Sequence, residues 1–253
     1  MGKTVKEIRA LFERAEDEKE IARIIDAFAS DERKGVQTLI EKEKKKQVRI
    51  QKERERLYEM TLFERTYADY NAICGIDEVG RGPLAGPVAA GAVILPKGLI
   101  IPGINDSKKL SAKKREMLTE IIEREAVAFS VGLVSPERID EINILNATHE
   151  AMRKAVETLN VPADMLLVDA ETIPGTVLPQ KAIIKGDMKS VSIAAASIVA
   201  KVYRDHLMDV YDALYPEYNF KQNKGYGSAE HIAAIKKYGP CPIHRRSFIK
   251  NFI

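Results

Sequence analysis

The chain of 253 residues is long enough for one large domain, or for a domain of ordinary size with a small extra module. Hydrophobic residues make up 45% of it, which excludes an intrinsically disordered protein, and the net charge of +3 is too small to indicate a partner. No apolar run approaches the roughly 20 residues of a membrane span, and the charged N-terminus lacks the apolar core of a signal peptide. Cys74 and Cys241 fit no metal-binding spacing, so we expect two reduced thiols in a soluble, cytoplasmic protein.

The first 70 residues differ in composition from the rest, because they are dense in charge, contain no proline and contain almost no glycine. Apolar residues recur there at helical spacing at Ile21, Ile24, Ile25 and Phe28. Residues 41–60 predict a long helix, whose interleaved glutamates favour a solvated surface over a nucleic-acid-binding one. Thr61 and Glu64 have the spacing of a capping box for a further helix. We therefore predict an N-terminal helical extension over residues 1–70 and a second domain over residues 71–253.

After residue 70 short apolar runs alternate with glycine and proline. Five of these runs predict strands, at residues 72–77, 88–95, 127–135, 165–170 and 181–187. A helix is expected to begin at Ser135, an alanine-rich helix to follow the fifth strand, and a last helix to end at Gly239. Three strands in a row followed by alternating strands and helices predict an α/β fold with a mixed five-stranded sheet flanked by helices.

Acidic residues stand where three of the predicted strands end. They are Asp77 with Glu78, Asp169 and Asp187. Taken one at a time, each is compatible with an ordinary helix cap or surface turn. Ligands collect at the carboxyl ends of strands in α/β sheets, and clustered carboxylates repel one another unless a cation neutralises them. With only oxygen donors present, the pattern favours Mg²⁺ or Mn²⁺ over Zn²⁺ and suits phosphodiester hydrolysis.

A glycine-rich turn follows Glu78 directly, with three glycines and two prolines in residues 80–87. Glycine allows a ligand to approach the backbone closely, and Arg81 is suited to hold a phosphate with two parallel hydrogen bonds. A plain hairpin connection is the alternative interpretation. The fusion of this turn to a strand-end Asp-Glu pair favours the binding function.

The string GIDEVGRGPLAGPV, with its strand-end acids and glycine turn, resembles the signature of the ribonuclease HII family. Further segments match in order: NDSKKLS (105–111), LLVDA (166–170), IIKGDMKSVSIAAASIVAKVYRD (183–205), NKGYGS (223–228) and IHRRSF (243–248). The resemblance covers roughly residues 71–250 and implies a ribonuclease H-like fold. It also implies four acidic residues that bind one or two Mn²⁺ or Mg²⁺ ions and carry catalysis. The matching positions are Asp77, Glu78, Asp169 and Asp187.

The resemblance also implies how substrate is recognised. Gly80, Arg81 and Gly82 would read the 2′-hydroxyl of a ribonucleotide through backbone groups, and Tyr226 would stack on the sugar of the following deoxynucleotide. The implied substrates are RNA–DNA hybrids and duplex DNA that contains ribonucleotides, cut on the 5′ side to leave a 3′-hydroxyl and a 5′-phosphate. Removal of misplaced ribonucleotides and of RNA primers during DNA replication would follow. Asn223 stands where many relatives have histidine.

Lysines near the acids are candidates for contact with the phosphate backbone, although each is also compatible with a solvated surface or with balancing the acidic charge. These are Lys108, Lys109 and Lys185. The four histidines fit no catalytic triad, and we interpret them as structural; of the four, His244, beside two arginines, is the best candidate for an approach to nucleic acid. We expect a monomer. Two alternatives remain, namely a non-catalytic module that binds RNA–DNA hybrids and another ribonuclease H-like nuclease such as a junction resolvase or integrase.

Overall fold

The computed structural model describes residues 3–251, and its contacts divide the chain into two compact units between Arg56 and Leu57. The first unit is helical, with α1 (Val5–Arg14), α2 (Glu18–Ala27) and most of α3 (Lys34–Met60). Its core consists of Ile8, Phe12, Val36 and Ile40, and the four apolar residues predicted from helical spacing pack against them. Within residues 3–251, no helix combines the length and the apolar character that a membrane span needs.

The capping box predicted at Thr61 is wrong. Thr61 precedes α4 (Leu62–Thr66), but its side chain makes no cap hydrogen bond and donates instead to the Tyr58 carbonyl oxygen at 2.8 Å. The Glu64 carboxylate is used elsewhere, because its Oε1 accepts hydrogen bonds from Ser190 Oγ at 2.6 Å and from Ser192 N at 3.0 Å. Glu64 therefore supports the start of a distant helix, since an acidic group is favourable at a helix N-terminus.

The second unit contains the predicted mixed sheet of five strands in the order β3-β2-β1-β4-β5. The strands are β1 (Ile73–Val79), β2 (Val88–Ile94), β3 (Ala128–Val134), β4 (Met165–Asp169) and β5 (Gln180–Ile183). β1 pairs antiparallel with β2 and parallel with β4, so β1 is the central strand. The helix α6 (Pro136–Glu157) covers one face of the sheet, while α5 (Ala112–Glu125) and α7 (Val191–Leu214) cover the other.

The structure differs from the predicted elements at two points, the end of the fifth strand and the segment after the last predicted helix. The fifth strand ends at Ile183 rather than at residue 187, because Lys185 adopts a left-handed backbone conformation (φ 59°) and a short 3-10 helix follows over Gly186–Met188. After α8 (Phe220–Asn223) and α9 (Ala229–Tyr238), the chain forms one further turn of helix, α10 (Arg246–Ile249). The Asp140 carboxylate accepts hydrogen bonds from the first backbone amides of α10, which stabilises a turn that the sequence pattern did not predict.

Glycines in the strands allow the helices to approach the sheet closely. A Cβ atom added to Gly75 on β1 would lie 2.0 Å from the backbone carbon of Ser192, and one added to Gly91 on β2 would lie 2.3 Å from the Ala196 oxygen, both on α7. On the other face, a Cβ at Gly132 of β3 would lie 2.1 Å from the Ala151 oxygen of α6. The alanine-rich start of α7 therefore packs directly against the backbone of β1 and β2.

Gly75→Ala is expected to destabilise the protein by about 3 kcal/mol or more, because a helix backbone cannot move aside as a flexible side chain can. Chemical denaturation monitored by circular dichroism measures the change. Gly98→Ala is the matched control, since Gly98 has nothing within 4 Å of an added Cβ and only its positive φ of 78° is unfavourable. We expect the control to cost about 1 kcal/mol. Equal losses at the two positions would contradict the close-packing explanation.

Candidate functional site

Three of the predicted acids lie on neighbouring strands at one edge of the sheet. In the parallel pairing of β1 with β4, Ile76 is opposite Val168, which places Asp77 beside Asp169 one residue further on. Glu78 follows Asp77 on β1, and its amide donates a hydrogen bond of 2.8 Å to Asp77 Oδ1. Asp77 is buried, with 5% of its surface exposed.

Asp187 joins this group from the short 3-10 helix after β5. The amide of the preceding residue, Gly186, donates to Asp169 Oδ1 at 2.7 Å, which holds the turn against the end of β4. Asp187 is buried, and its pKa is raised first by this burial and then by the nearby charges of Asp106 and Asp169. Asp106 is an acid that sequence reasoning missed, although it lies within the NDSKKLS segment that carries part of the resemblance.

The electrostatics confirm that these carboxylates share one region. Burial, followed by the negative charges of Glu78 and Asp169, raises the pKa of Asp77 well above its usual value. Burial and neighbouring acids also raise the pKa of Glu78 and of Asp187. Lys108 faces the group, because Asp77, Asp106 and Asp187 raise its pKa in spite of its partial burial. One lysine and Arg81 thus offset only part of the acidic charge.

The donor set fits a hard divalent cation. Every side chain at the centre of the group offers carboxylate oxygens, which Mg²⁺ and Mn²⁺ prefer, and neither thiol nor imidazole takes part. The raised pKa values of Asp77, Glu78 and Asp187 show a surplus of negative charge that a cation would offset. Among residues 3–251, no three Asp, Glu, His or Cys side chains already converge as a finished ligand set.

The glycine turn lies beside the acids and is joined to the KGYG segment. Gly225 accepts hydrogen bonds through its carbonyl oxygen from the amides of Leu84 at 2.7 Å and Ala85 at 3.3 Å. Gly80 and Gly225 have φ values of 89° and 85°, a region that favours glycine. The Tyr226 ring is 44% exposed, and its Cε1 would lie 3.8 Å from a Cβ at Gly82. The structure thus brings the predicted turn and the predicted tyrosine together.

Two buried arginines donate hydrogen bonds to backbone carbonyl oxygens of the glycine turn and of the KGYG segment. Arg245 donates to the carbonyl oxygens of Gly80, Arg81 and Gly86 at 2.6, 2.9 and 2.9 Å. Arg204 donates to those of Ala85, Pro87 and Lys224 at 3.2, 3.0 and 2.9 Å. Both guanidinium groups are fully buried, and their charges are balanced by carbonyl dipoles. Sequence reasoning identified neither arginine as a support of the turn.

The Arg81 side chain is held by a second acid that sequence reasoning missed. Its Nη1 atom donates to Glu171 Oε1 at 2.8 Å and lies 3.7 Å from Glu78 Oε1. The other oxygen of Glu171 is hydrogen-bonded to His149 Nε2 at 2.9 Å. Glu171 stands two residues after Asp169, and this proximity in sequence was the only signal that pointed to it.

The predicted lysines and Asn223 have different surroundings. Lys108 faces them, as described above. Lys109 is exposed, and its ammonium group contacts Met188 Sδ at 3.3 Å. Lys185 is exposed in the turn that precedes Asp187. Asn223 closes the loop of the KGYG segment, since it bonds the Tyr218 oxygen and the Gly225 amide at 2.7 and 2.8 Å.

Two buried, hydrogen-bonded histidines anchor the backbone of Tyr226, and the burial of His244 agrees with the interpretation of the histidines as structural. His244 Nδ1 accepts from the Cys241 amide at 3.0 Å, so its Nε2 carries the proton that is shared with His231 Nε2 at 3.0 Å. His231 Nδ1 then donates to the Tyr226 carbonyl oxygen at 2.8 Å. The pattern requires two neutral imidazoles, because an added proton would face another donor.

The hydrogen-bonded pair of His231 and His244 predicts that the protein loses stability in acid. Burial, followed by the charge of His231, lowers the pKa of His244 from 6.5 to about 4. The unfolded chain therefore binds more protons between those values, and the stability that the neutral pair contributes is lost as the pH falls through this window. Thermal melts between pH 7 and 4 measure the effect. His244→Gln should flatten the profile, whereas His206→Gln, at an exposed histidine, should leave it unchanged.

Two family models match the chain. The model described as Ribonuclease HII matches residues 74–251, and the model described as Ribonuclease HII N-terminal domain matches residues 4–68. Among curated relatives, Ribonuclease HII of Lachnoclostridium phytofermentans is 58% identical over 89% of each chain. Ribonuclease HII of Clostridioides difficile is 54% identical over 99% of each chain.

Solved structures agree in fold. Ribonuclease H2 from Pyrococcus horikoshii superposes with a TM-score of 0.61 at 29% identity, over 72% of this chain and 97% of that one. Ribonuclease HII from Archaeoglobus fulgidus, solved in a complex with PCNA, gives 0.58 at 27% identity, over 69% and 94%. The sheet order, the matched models and the relatives together show that this chain belongs to the ribonuclease HII family and is a ribonuclease H endonuclease.

Proposed function

We propose that Asp77, Glu78, Asp169 and Asp187 are the catalytic group of this ribonuclease and bind one or two Mg²⁺ or Mn²⁺ ions. The substrates would be RNA–DNA hybrids and duplex DNA with embedded ribonucleotides, cut at the phosphate on the 5′ side of a ribonucleotide. When bound, the cation supplies the activation of water and the neutralisation of the leaving oxygen. The observation that carries the proposal is the clustering of acids from β1, β4 and the turn after β5, of which Asp77 and Asp187 are buried and have raised pKa values.

The glycine turn and Tyr226 are proposed to select the ribonucleotide. Backbone groups of Gly80, Arg81 and Gly82 would contact the 2′-hydroxyl, which is the group that separates RNA from DNA. Support comes from the six carbonyl hydrogen bonds of Arg204 and Arg245, because they fix the loop conformation before substrate arrives. Tyr226 is exposed beside Gly82 and would stack on the next sugar. Lys108, Lys109 and Lys185 are proposed to contact phosphates, and Lys108 has the strongest support because it faces the acids.

We also propose the division into a helical extension over residues 1–70 and a catalytic domain over residues 71–253. The two family models, which match on either side of residue 70, support this division. A cytoplasmic, monomeric protein remains our proposal for location and assembly. Size-exclusion chromatography with light scattering tests the monomer.

Cleavage of a labelled DNA duplex with a single ribonucleotide tests the proposed reaction. With Mg²⁺ or Mn²⁺ we expect one cut, on the 5′ side of the ribonucleotide, and no cut in an all-DNA duplex. Asp169→Asn should bind the duplex and leave it intact. Cleavage of the all-DNA duplex would instead favour a general nuclease related to resolvases, and tight binding without cleavage by the wild type would favour the non-catalytic module.

A further inference from the structure

Arg81 lies between two carboxylates, those of Glu171 and Glu78. The same atom, Nη1, is 2.8 Å from Glu171 Oε1 and 3.7 Å from Glu78 Oε1, so it donates its hydrogen bond to Glu171 and only attracts Glu78 at longer range. Glu78 is the more buried of the two acids, with 19% of its side chain exposed against 30% for Glu171. The Arg81 guanidinium and a divalent cation would therefore compete for the Glu78 carboxylate. The hydrogen bond to Glu171 determines the position of the guanidinium.

Local structure fixes Glu171 in this position. Ala170 has a φ of 57°, which turns the chain back immediately after Asp169, and its amide donates to the Ile183 oxygen at 3.0 Å. His149, on α6 and nearly buried, holds the second carboxylate oxygen of Glu171 at 2.9 Å. Both oxygens of the Glu171 carboxylate are therefore engaged, Oε1 by Arg81 and Oε2 by His149.

We propose that Glu171 is a positioning residue that keeps the Arg81 guanidinium off Glu78, so that Glu78 remains available to a divalent cation while Arg81 faces the substrate. The inference rests on the proposed metal site, and it assigns to Glu171 a role apart from that of a metal ligand. If Glu171 is neutralised or removed, the nearest remaining acid for Nη1 is Glu78. The guanidinium then closes the 3.7 Å gap and competes with the ion.

Binding of Mn²⁺ to the full-length protein, measured by calorimetry without substrate, tests the proposal. Glu171→Ala and Glu171→Gln should weaken Mn²⁺ binding about three- to ten-fold, the range expected for one partly buried ion pair. Glu150→Gln is the matched control, because Glu150 is also held by two basic side chains, Arg138 and Lys154, and should leave Mn²⁺ binding unchanged. Equal circular dichroism melts would show that the variants are folded.

The decisive measurement is a double-mutant cycle with Arg81→Ala. If Glu171 acts by restraining Arg81, the double variant Arg81→Ala/Glu171→Ala should bind Mn²⁺ as tightly as Arg81→Ala alone. Equal weakening by Glu171→Ala in both backgrounds would overturn the proposal, because it would mean that the glutamate attracts the ion directly. Unchanged binding in the Glu171 variants would overturn it as well, while a wild type that binds no Mn²⁺ would overturn the metal site too.

Discussion

Asp77→Asn is expected to reduce cleavage by at least about a thousand-fold and, in the same protein, to raise the melting temperature in the absence of metal. Cleavage is lost because an amide oxygen is a poorer ligand for a hard cation than a carboxylate oxygen is. The gain follows because burial, Glu78 and Asp169 all disfavour the charged form of Asp77 and raise its pKa. Asparagine preserves the acceptor for the Glu78 amide and removes the repelled charge.

The pH dependence of this gain has a definite sign. A carboxyl group with a raised native pKa makes the native state bind more protons than the unfolded state, so its contribution to stability falls as the pH rises. The stabilisation by Asp77→Asn, on the order of 1 kcal/mol, should therefore appear at neutral pH and vanish in acid. Melting curves in a chelating buffer at pH 7 and pH 4 measure it. A variant that loses both activity and stability at pH 7 would contradict the electrostatic explanation.

Replacement of Arg245 is expected to reduce both the stability and the activity of the protein. Arg245→Met removes donors to the carbonyl oxygens of Gly80, Arg81 and Gly86, which leaves buried acceptors without partners. Relief of a buried cation offsets part of this loss, since burial and the charge of Arg204 lower the pKa of Arg245. The loss of three hydrogen bonds to buried acceptors costs more free energy than the removal of one buried charge returns. We therefore expect a net destabilisation of about 3 kcal/mol.

The activity of Arg245 variants separates loop geometry from stability. Arg245→Lys keeps the charge but replaces a planar fork with a single ammonium group, so it should be more stable than Arg245→Met and still cleave about a hundred-fold more slowly than the wild type. Arg246→Lys is the neighbouring control, because Arg246 is exposed at the start of α10. Single-turnover cleavage well below the melting temperature measures the effect. A lysine variant with wild-type rates would show that charge alone suffices.

Some features were determined by the sequence because they depend on local pattern. Apolar runs and their spacing predicted the helical extension and all five strands of the mixed sheet. The acids at strand ends predicted where the site lies, since residues at the carboxyl ends of adjacent parallel strands must be neighbours. The glycine turn and Tyr226 were predicted from the motif, and the structure joins the turn to the segment that carries Tyr226 by the hydrogen bonds of Leu84 and Ala85 to Gly225.

Tertiary structure alone decided the contacts between residues that are distant in the chain. Thr61 and Glu64 have the spacing of a capping box, yet Glu64 supports α7 because the fold brings Ser190 to it across 126 positions. Arg245 lies 165 positions from Gly80, so no local pattern could show that its guanidinium fixes the glycine turn. His244 stands beside two arginines in the sequence, and only the packing of α9 shows that its hydrogen-bond partner is His231. In each case the partner of a polar group is chosen by burial, because a buried donor or acceptor must find a partner wherever the fold supplies one.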